Sequence, residues 1–155
     1  MKEIYDLLDK IKDRLRANNI TNTVTFGDIM EVDLTKTTIF PLSHIMLGNV
    51  NFSENIMTAE ISVLSMDIID KNKTQSTFDS FYGNDNLQDV FNTQLAVIND
   101  LQSHLRRSDL FDTANFRVAG DPVAEPFQDR FENELAGWTA TFAIELSNNN
   151  FNICE

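Results

Sequence analysis

The sequence predicts an α+β fold, with a mainly antiparallel sheet that carries an N-terminal helix and one long central helix. Three observations predict it. Residues 2–17 and residues 86–107 each repeat apolar side chains at helical spacing, and Trp138, Ala140, Phe142, Ile144 and Leu146 alternate with Thr139, Thr141, Ala143 and Glu145. The first pattern keeps one stripe of a helix apolar, and the second keeps one face of a pleated strand apolar. Helices layered on a sheet bury all three surfaces together. The 155 residues read as a single domain, 1–155. A chain of that size buries roughly 68–70% of its unfolded surface, so it has a core without disulfides or metals.

In the first helix, Ile4, Leu7, Leu8, Ile11 and Leu15 form the stripe, and Asn18-Asn19 marks the stop. Residues 21–69 read as strands. Val24 and Phe26 alternate with threonines, and Gly27-Asp28 suggests a turn. Met30, Val32 and Leu34 alternate with acidic and hydroxyl residues. Ile39 to Leu47 follows, with Pro41 placing its start at an edge or bulge, and Gly48-Asn49 closes it. The next strand holds Met57, Ala59, Ile61 and Val63 on one face. Its phase then slips, which predicts a bulge or bend near Val63-Leu64.

Residues 70–84 form a long polar connection with aromatic inserts at Phe78, Phe81 and Tyr82, read as a protruding loop for contact with a neighbouring subunit, with a disordered or locally packed loop as the competing reading. The second helix opens on Asp85 as N-cap, with Gln88 completing a capping box. Its expected buried stripe is Leu87, Phe91, Leu95, Ile98, Leu101 and Leu105, packed on the strand 138–146. Arg106 and Arg107 complement its C-terminal dipole. A short strand around Phe116 and Val118 precedes Gly120-Asp121-Pro122 and Pro126. Phe127, Phe131 and Trp138 are expected to cluster as a core corner, with a subunit interface as the competing reading.

Charge narrows the functional classes. The chain carries 24 acidic and 12 basic residues, a net charge of −12. Residues 1–20 hold five basic and four acidic side chains, so residues 21–155 carry a net −13. Such a surface repels phosphate and argues against tight binding along a nucleic acid. The lone cysteine, Cys154, allows no internal disulfide. The charged first helix is no signal peptide, and no apolar run approaches the ~18 residues of a membrane span.

Chemistry-bearing constellations are missing from the sequence. His44, His104 and Cys154 are too scattered for metal-ligand spacing. The five glycines, 27, 48, 83, 120 and 137, make no phosphate loop. His44 is expected to serve packing or an interface rather than ligation or catalysis. Glu132 and Glu134 suit the wet face of a strand better than acid–base work. Asp67, Asp70 and Asn72 lack the glycine and final glutamate of a calcium loop. The expectation is therefore no enzyme, no metal and no cofactor.

Several segments carry a resemblance. They are Pro41-Leu42-Ser43-His44-Ile45, the strand ending Asp67-Ile68-Ile69-Asp70-Lys71, the helix Asp89 to Leu105, and Pro126-Phe127 through Gly137-Trp138. With the leading helix they resemble the tail-terminator and tail-completion proteins of tailed phages, including those of crAss-like phages. The resemblance implies a tail-terminator-like fold and a structural virion protein. It implies a homo-oligomeric ring, hexamer or dodecamer, at the head-to-tail junction or the tail end, as a tail terminator or a neck connector. It also implies neighbouring portal, neck or tail proteins as partners, DNA passing the channel without specific binding, no membrane, and assembly in the host cytoplasm.

A ring of identical subunits needs two different complementary patches on each copy. The charge segregation suggests Lys10, Lys12, Arg14 and Arg16 on the first helix, facing Glu125, Asp129, Glu132 and Glu134 of the next copy. Phe78, Phe81 and Tyr82 complete the expected interface residues. The alternatives are a small cytoplasmic protein-binding module and, further off, an acidic-site enzyme.

Overall fold

The computed structural model describes residues 2–29, 32, 37–69, 86–107, 116–128 and 134–147. Helix α1 spans Lys2–Ala17 and helix α2 spans Leu87–Arg106. The strands are β1 (Thr23–Phe26), β2 (Leu42–Phe52), β3 (Ile56–Ile68), β4 (Phe116–Gln128) and β5 (Leu135–Ser147). They form one sheet in the order β1-β2-β3-β5-β4. Every neighbouring pair is antiparallel except β1 with β2. The fold is α+β, with the N-terminal and central helices and the mostly antiparallel sheet that the sequence predicts. Strand β5 inserts between β3 and β4, so those two run parallel and α2 is the crossover that joins them.

Register assigns side chains to faces, because successive residues of a strand point to opposite sides. On the helix-bearing face, Met57, Ala59, Ile61 and Val63 of β3 lie beside Ala140, Phe142, Ile144 and Leu146 of β5. Leu7, Ile11 and Leu15 of α1 and Val97, Ile98, Leu101 and Leu105 of α2 pack onto them. Among the described residues, the other face has a buried apolar cluster at one end, where Leu42, Leu64, Met66, Phe127 and Leu135 gather with Phe40. Further along it the sheet presents Ser62 beside Thr141, and Arg117 ion-paired to Glu145 across the strands.

That second cluster corrects the expected bulge at Val63-Leu64. Strand β3 pairs with β5 without interruption from Ile56 to Ile68. Its phase slips in the sequence because both faces are covered there: Val63, Leu64, Ser65 and Met66 are all buried. The bulge lies on β2 instead, between Leu47 and Val50. Gly48-Asn49 therefore sits inside a strand that continues to Phe52, not at its end. A side chain at Gly48 would press on the Glu60 carbonyl oxygen at 3.1 Å. At its start β2 begins at Leu42 rather than Ile39, since Thr37–Ile39 is a 3-10 turn and the Phe40–Pro41 peptide is cis. Around the expected strand at Met30–Leu34, Val32 N–H donates to Ile29 O and closes a turn; residues 30, 31, 33 and 34 lie outside the described residues.

Strand β4 is longer than its prolines suggest. It runs through Gly120-Asp121-Pro122 with a register shift between Ala119 and Val123, and on through Pro126. Two prolines are tolerated because β4 is an outer strand, whose free side needs no N–H, and because one lies in a bulge. Gly120 supplies the positive φ (64°) that the bulge uses.

The stripe of α2 is also corrected. Its buried residues are Val90, Gln94, Val97, Ile98, Leu101 and Leu105. Leu95, expected inside, is 40% exposed. It stands about 100° round the helix from Gln94, which occupies the middle of the buried face. Leu87 and Phe91 are half-buried on a smaller cluster with Ile69, Val90 and Ala136. The helix starts one residue later than expected, with Asn86 in the N-cap position and no side-chain cap; Asp85 lies outside the described residues. Phe127 and Trp138 do not cluster either. Phe127 pairs with Gly137 on the face opposite the helices, whereas Trp138 meets Phe91 edge-on at 5.9 Å on the helix face. Phe131 lies outside the described residues.

Candidate functional site

Among the described residues, the large apolar side chains left in solvent are Tyr5, Phe26, Leu47, Phe52, Ile56, Leu95 and Val123. On α1, the spacing that buries Leu7, Ile11 and Leu15 turns Tyr5 outward, and Tyr5 is 67% exposed. Beside it, β1 points Val24 and Phe26 to the helix face in register with Ser43 and Ile45 of β2. Val24 packs on the core, but Phe26 stands at the rim and is 57% exposed. Between α1 and these strands lies a groove of about 210 Å³, lined by Tyr5, Leu8, Val24, Phe26 and Ile45, with Asp9, Lys12 and Thr25 at its edge.

A second exposed apolar pair sits at the far end of β2. The β2–β3 hairpin turns through Ser53-Glu54-Asn55, closed by Ser53 N–H donating to Ile56 O at 2.8 Å. Phe52 and Ile56 flank the turn, and Phe52 is 71% exposed. A smaller groove of about 150 Å³ runs between α2 and the β4 bulge, where Leu95 and Val123 are exposed. None of these side chains was singled out from the sequence for contact. Phe26 reads there as an ordinary strand residue, because a single sequence does not show where a sheet ends.

The expected cationic patch on α1 is partly engaged within the chain. Lys12 pairs with Asp9 at 2.9 Å. Arg14 grips Asp100 of α2 with two hydrogen bonds, Nε to Oδ2 at 3.0 Å and Nη2 to Oδ1 at 2.6 Å, which ties the two helices together. Arg16 is exposed and Lys10 half-buried. Of the expected acidic patch, Glu125 is exposed on β4. Glu134 precedes β5, where its carbonyl accepts the Ile69 N–H at 2.9 Å. Asp129, Glu132, Phe78, Phe81 and Tyr82 lie outside the described residues.

His44 is fully buried. Its Nε2 lies 2.8 Å from the Gly27 carbonyl and its Nδ1 lies 2.7 Å from Thr25 Oγ1. A carbonyl only accepts, so Nε2 carries the proton and Nδ1 accepts from the threonine hydroxyl. Burial holds its pKa below the ordinary value, against opposing pulls from the Gly27 bond and from Asp28. The ring thus clamps β1 and the following turn onto β2. His104 on α2 is also pushed down, by burial first and then by Arg14. Burial raises Asp67, while the Ile68 N–H bond opposes the rise. Asp70 and Asn72 lie outside the described residues.

One buried polar group joins α2 to the sheet. Ser65 Oγ donates to Gln94 Oε1 at 2.6 Å, and both residues are buried. Ser43, in register with Ser65 on the same face, is buried as well. Ser43 Oγ and Gln94 Nε2 make no hydrogen bond within the chain. Trp138 Nε1 donates to Phe91 O at 2.9 Å, a further tie to α2. Gly137 lets β5 run close against β3, since a Cβ there would collide with the Ser65 carbonyl.

Among the described residues, no group of three His, Cys, Asp or Glu side chains is placed to hold a metal ion. No described helix is long and apolar enough to cross a membrane. The chain matches no protein-family model and no curated protein.

Proposed function

We propose that this chain is a structural assembly protein that forms a ring of identical subunits, a tail terminator or neck connector of a tailed phage, through which DNA passes. The observation that carries the assembly reading is the placement of the exposed apolar side chains. Tyr5 and Phe26 stand at one end of the outer part of the sheet, and Phe52 and Ile56 at the other. Large apolar groups left in water at separate corners favour association. Two unlike corners on one chain suit a head-to-tail contact, which closes into a ring when the rotation between copies divides a circle. The phage setting rests on the resemblance of the leading helix, the segments around Pro41–Ile45 and Asp67–Lys71, the central helix, and Pro126 through Trp138. The net charge of −12 suits a channel that repels phosphate and lets DNA slide.

Native mass spectrometry of the purified chain tests this reading. The expected result is one closed species of six or twelve copies. A monomer that persists into the millimolar range contradicts it. The second reading, a module that binds one segment of another protein, draws on the same apolar groove beside α1. It differs in stoichiometry, because such a module stays monomeric and takes up a single partner.

A further inference from the structure

We infer that the β2–β3 hairpin tip of one copy inserts Phe52 into the groove between α1 and β1 of the next copy; this rests on the assembly reading above and names its contact surfaces. Phe52 at the tip and most of the groove lining are both apolar. The groove is open and mostly apolar, about 210 Å³ in volume. The tip offers Phe52, 71% exposed on the helix face beside a tight turn, with Ile56 on the opposite face. A phenylalanine buries ~150–250 Å² when such a pocket covers it.

The two surfaces cannot meet within one molecule. Ile45 lines the groove and Phe52 forms the tip, and both belong to the same strand. Seven residues of strand separate them by about 20 Å. Strand β2 is held to β3 along that length, from Leu42 opposite Met66 to Phe52 opposite Met57. A rigid element with a knob at one end and a matching groove at the other satisfies both only through other copies, and the ring reading above takes the arrangement in which they join in series.

Charge favours a second copy as the occupant. The tip carries one acid, Glu54, in Ser53-Glu54-Asn55. The stripe of α1 beside the groove follows helical spacing through Tyr5, Leu8, Asp9 and Lys12 to Arg16. On that stripe two cations face one acid, in a chain that is otherwise strongly acidic. Glu54 would therefore arrive beside Lys12 and Arg16, which orients the tip as it enters.

The test uses the full chain with Cys154→Ser as background. Phe52→Cys and Phe26→Cys are made as separate chains, mixed, and exposed to a mild thiol oxidant. The expected result is a disulfide-linked dimer from the mixture and none from either chain alone. Phe52→Glu should weaken assembly at least tenfold with an unchanged melting temperature, since that side chain touches little of its own fold. Glu54→Lys should weaken assembly too, and Lys12→Glu in the same chain should restore part of it. If the wild type assembles while Phe52→Glu and Phe26→Glu leave its size unchanged, the tip-and-groove contact is overturned and the ring reading stands. If the wild type is monomeric at every concentration and no cross-link forms, both are overturned.

Discussion

At the scale of single residues, the buried polar groups determine how the sheet is locked and how it responds to pH. His44 and His104 both have folded-state pKa values below the ordinary ~6.5. As pH falls, the unfolded chain takes up protons before the folded one. The stability tied to these rings is therefore complete above about pH 6.5 and is lost as pH drops toward the folded values. Asp67 works in the opposite sense at lower pH. Its raised pKa favours the fold below the ordinary carboxylate value, and that contribution disappears as pH rises through the folded value. Urea unfolding across about pH 5 to 7.5 should show stability rising with pH, and His44→Gln should flatten the rise. An equal slope in the variant would contradict a neutral, buried His44. The Ser65–Gln94 bond yields a second prediction. Removing one partner, by Ser65→Ala or Gln94→Leu, strands or strains the other and should cost roughly 1–3 kcal/mol. The double substitution removes the buried polarity from both sides and should return stability close to wild type. Chemical denaturation of all four chains closes this cycle.

At the scale of elements, helix α2 is the informative case. Leu101→Ala empties a fully buried site and should cost about 2–5 kcal/mol. Leu95→Ala, at a site 40% exposed, should cost roughly 1 kcal/mol. Thermal or urea unfolding that ranks the two the other way would place the buried face wrongly. The length of α2 and its amphipathic character were legible in the sequence, but its rotation was not. Gln94 lies at the centre of the buried face because Ser65 offers it a partner, and a polar residue there misdirects any reading based on hydrophobicity alone. Strand β5 was read correctly because one of its faces is apolar and the other small or polar. Strand β3 was misread at Val63-Leu64, since a second cluster built by Phe40, Leu42 and Phe127 covers its other face, and those residues are distant in sequence. The bulges of β2 and β4 hid two long strands behind Gly48-Asn49 and Pro122. The exposed corners could not be read in advance, because exposure depends on where neighbouring strands stop.

At the scale of the whole molecule, two helices cover one face of the sheet, and a buried apolar cluster near Leu42 and Phe127 occupies one end of the other. In the proposed assembly, the apolar corner at Tyr5–Phe26 receives and Phe52 at the far hairpin inserts. Made reciprocally, such a contact gives a two-fold pair; made in series, as the proposed function requires, it closes into a ring or grows as a filament. Compact closure is what a protein at a tail end or neck requires, because a growing filament would not end a tube. The measurement that bears most directly on this claim is electron microscopy of the purified assembly. The account predicts a closed ring of six or twelve copies around an open, acid-lined channel. A two-fold dimer, an open filament, or a channel lined mainly by lysine and arginine would contradict it.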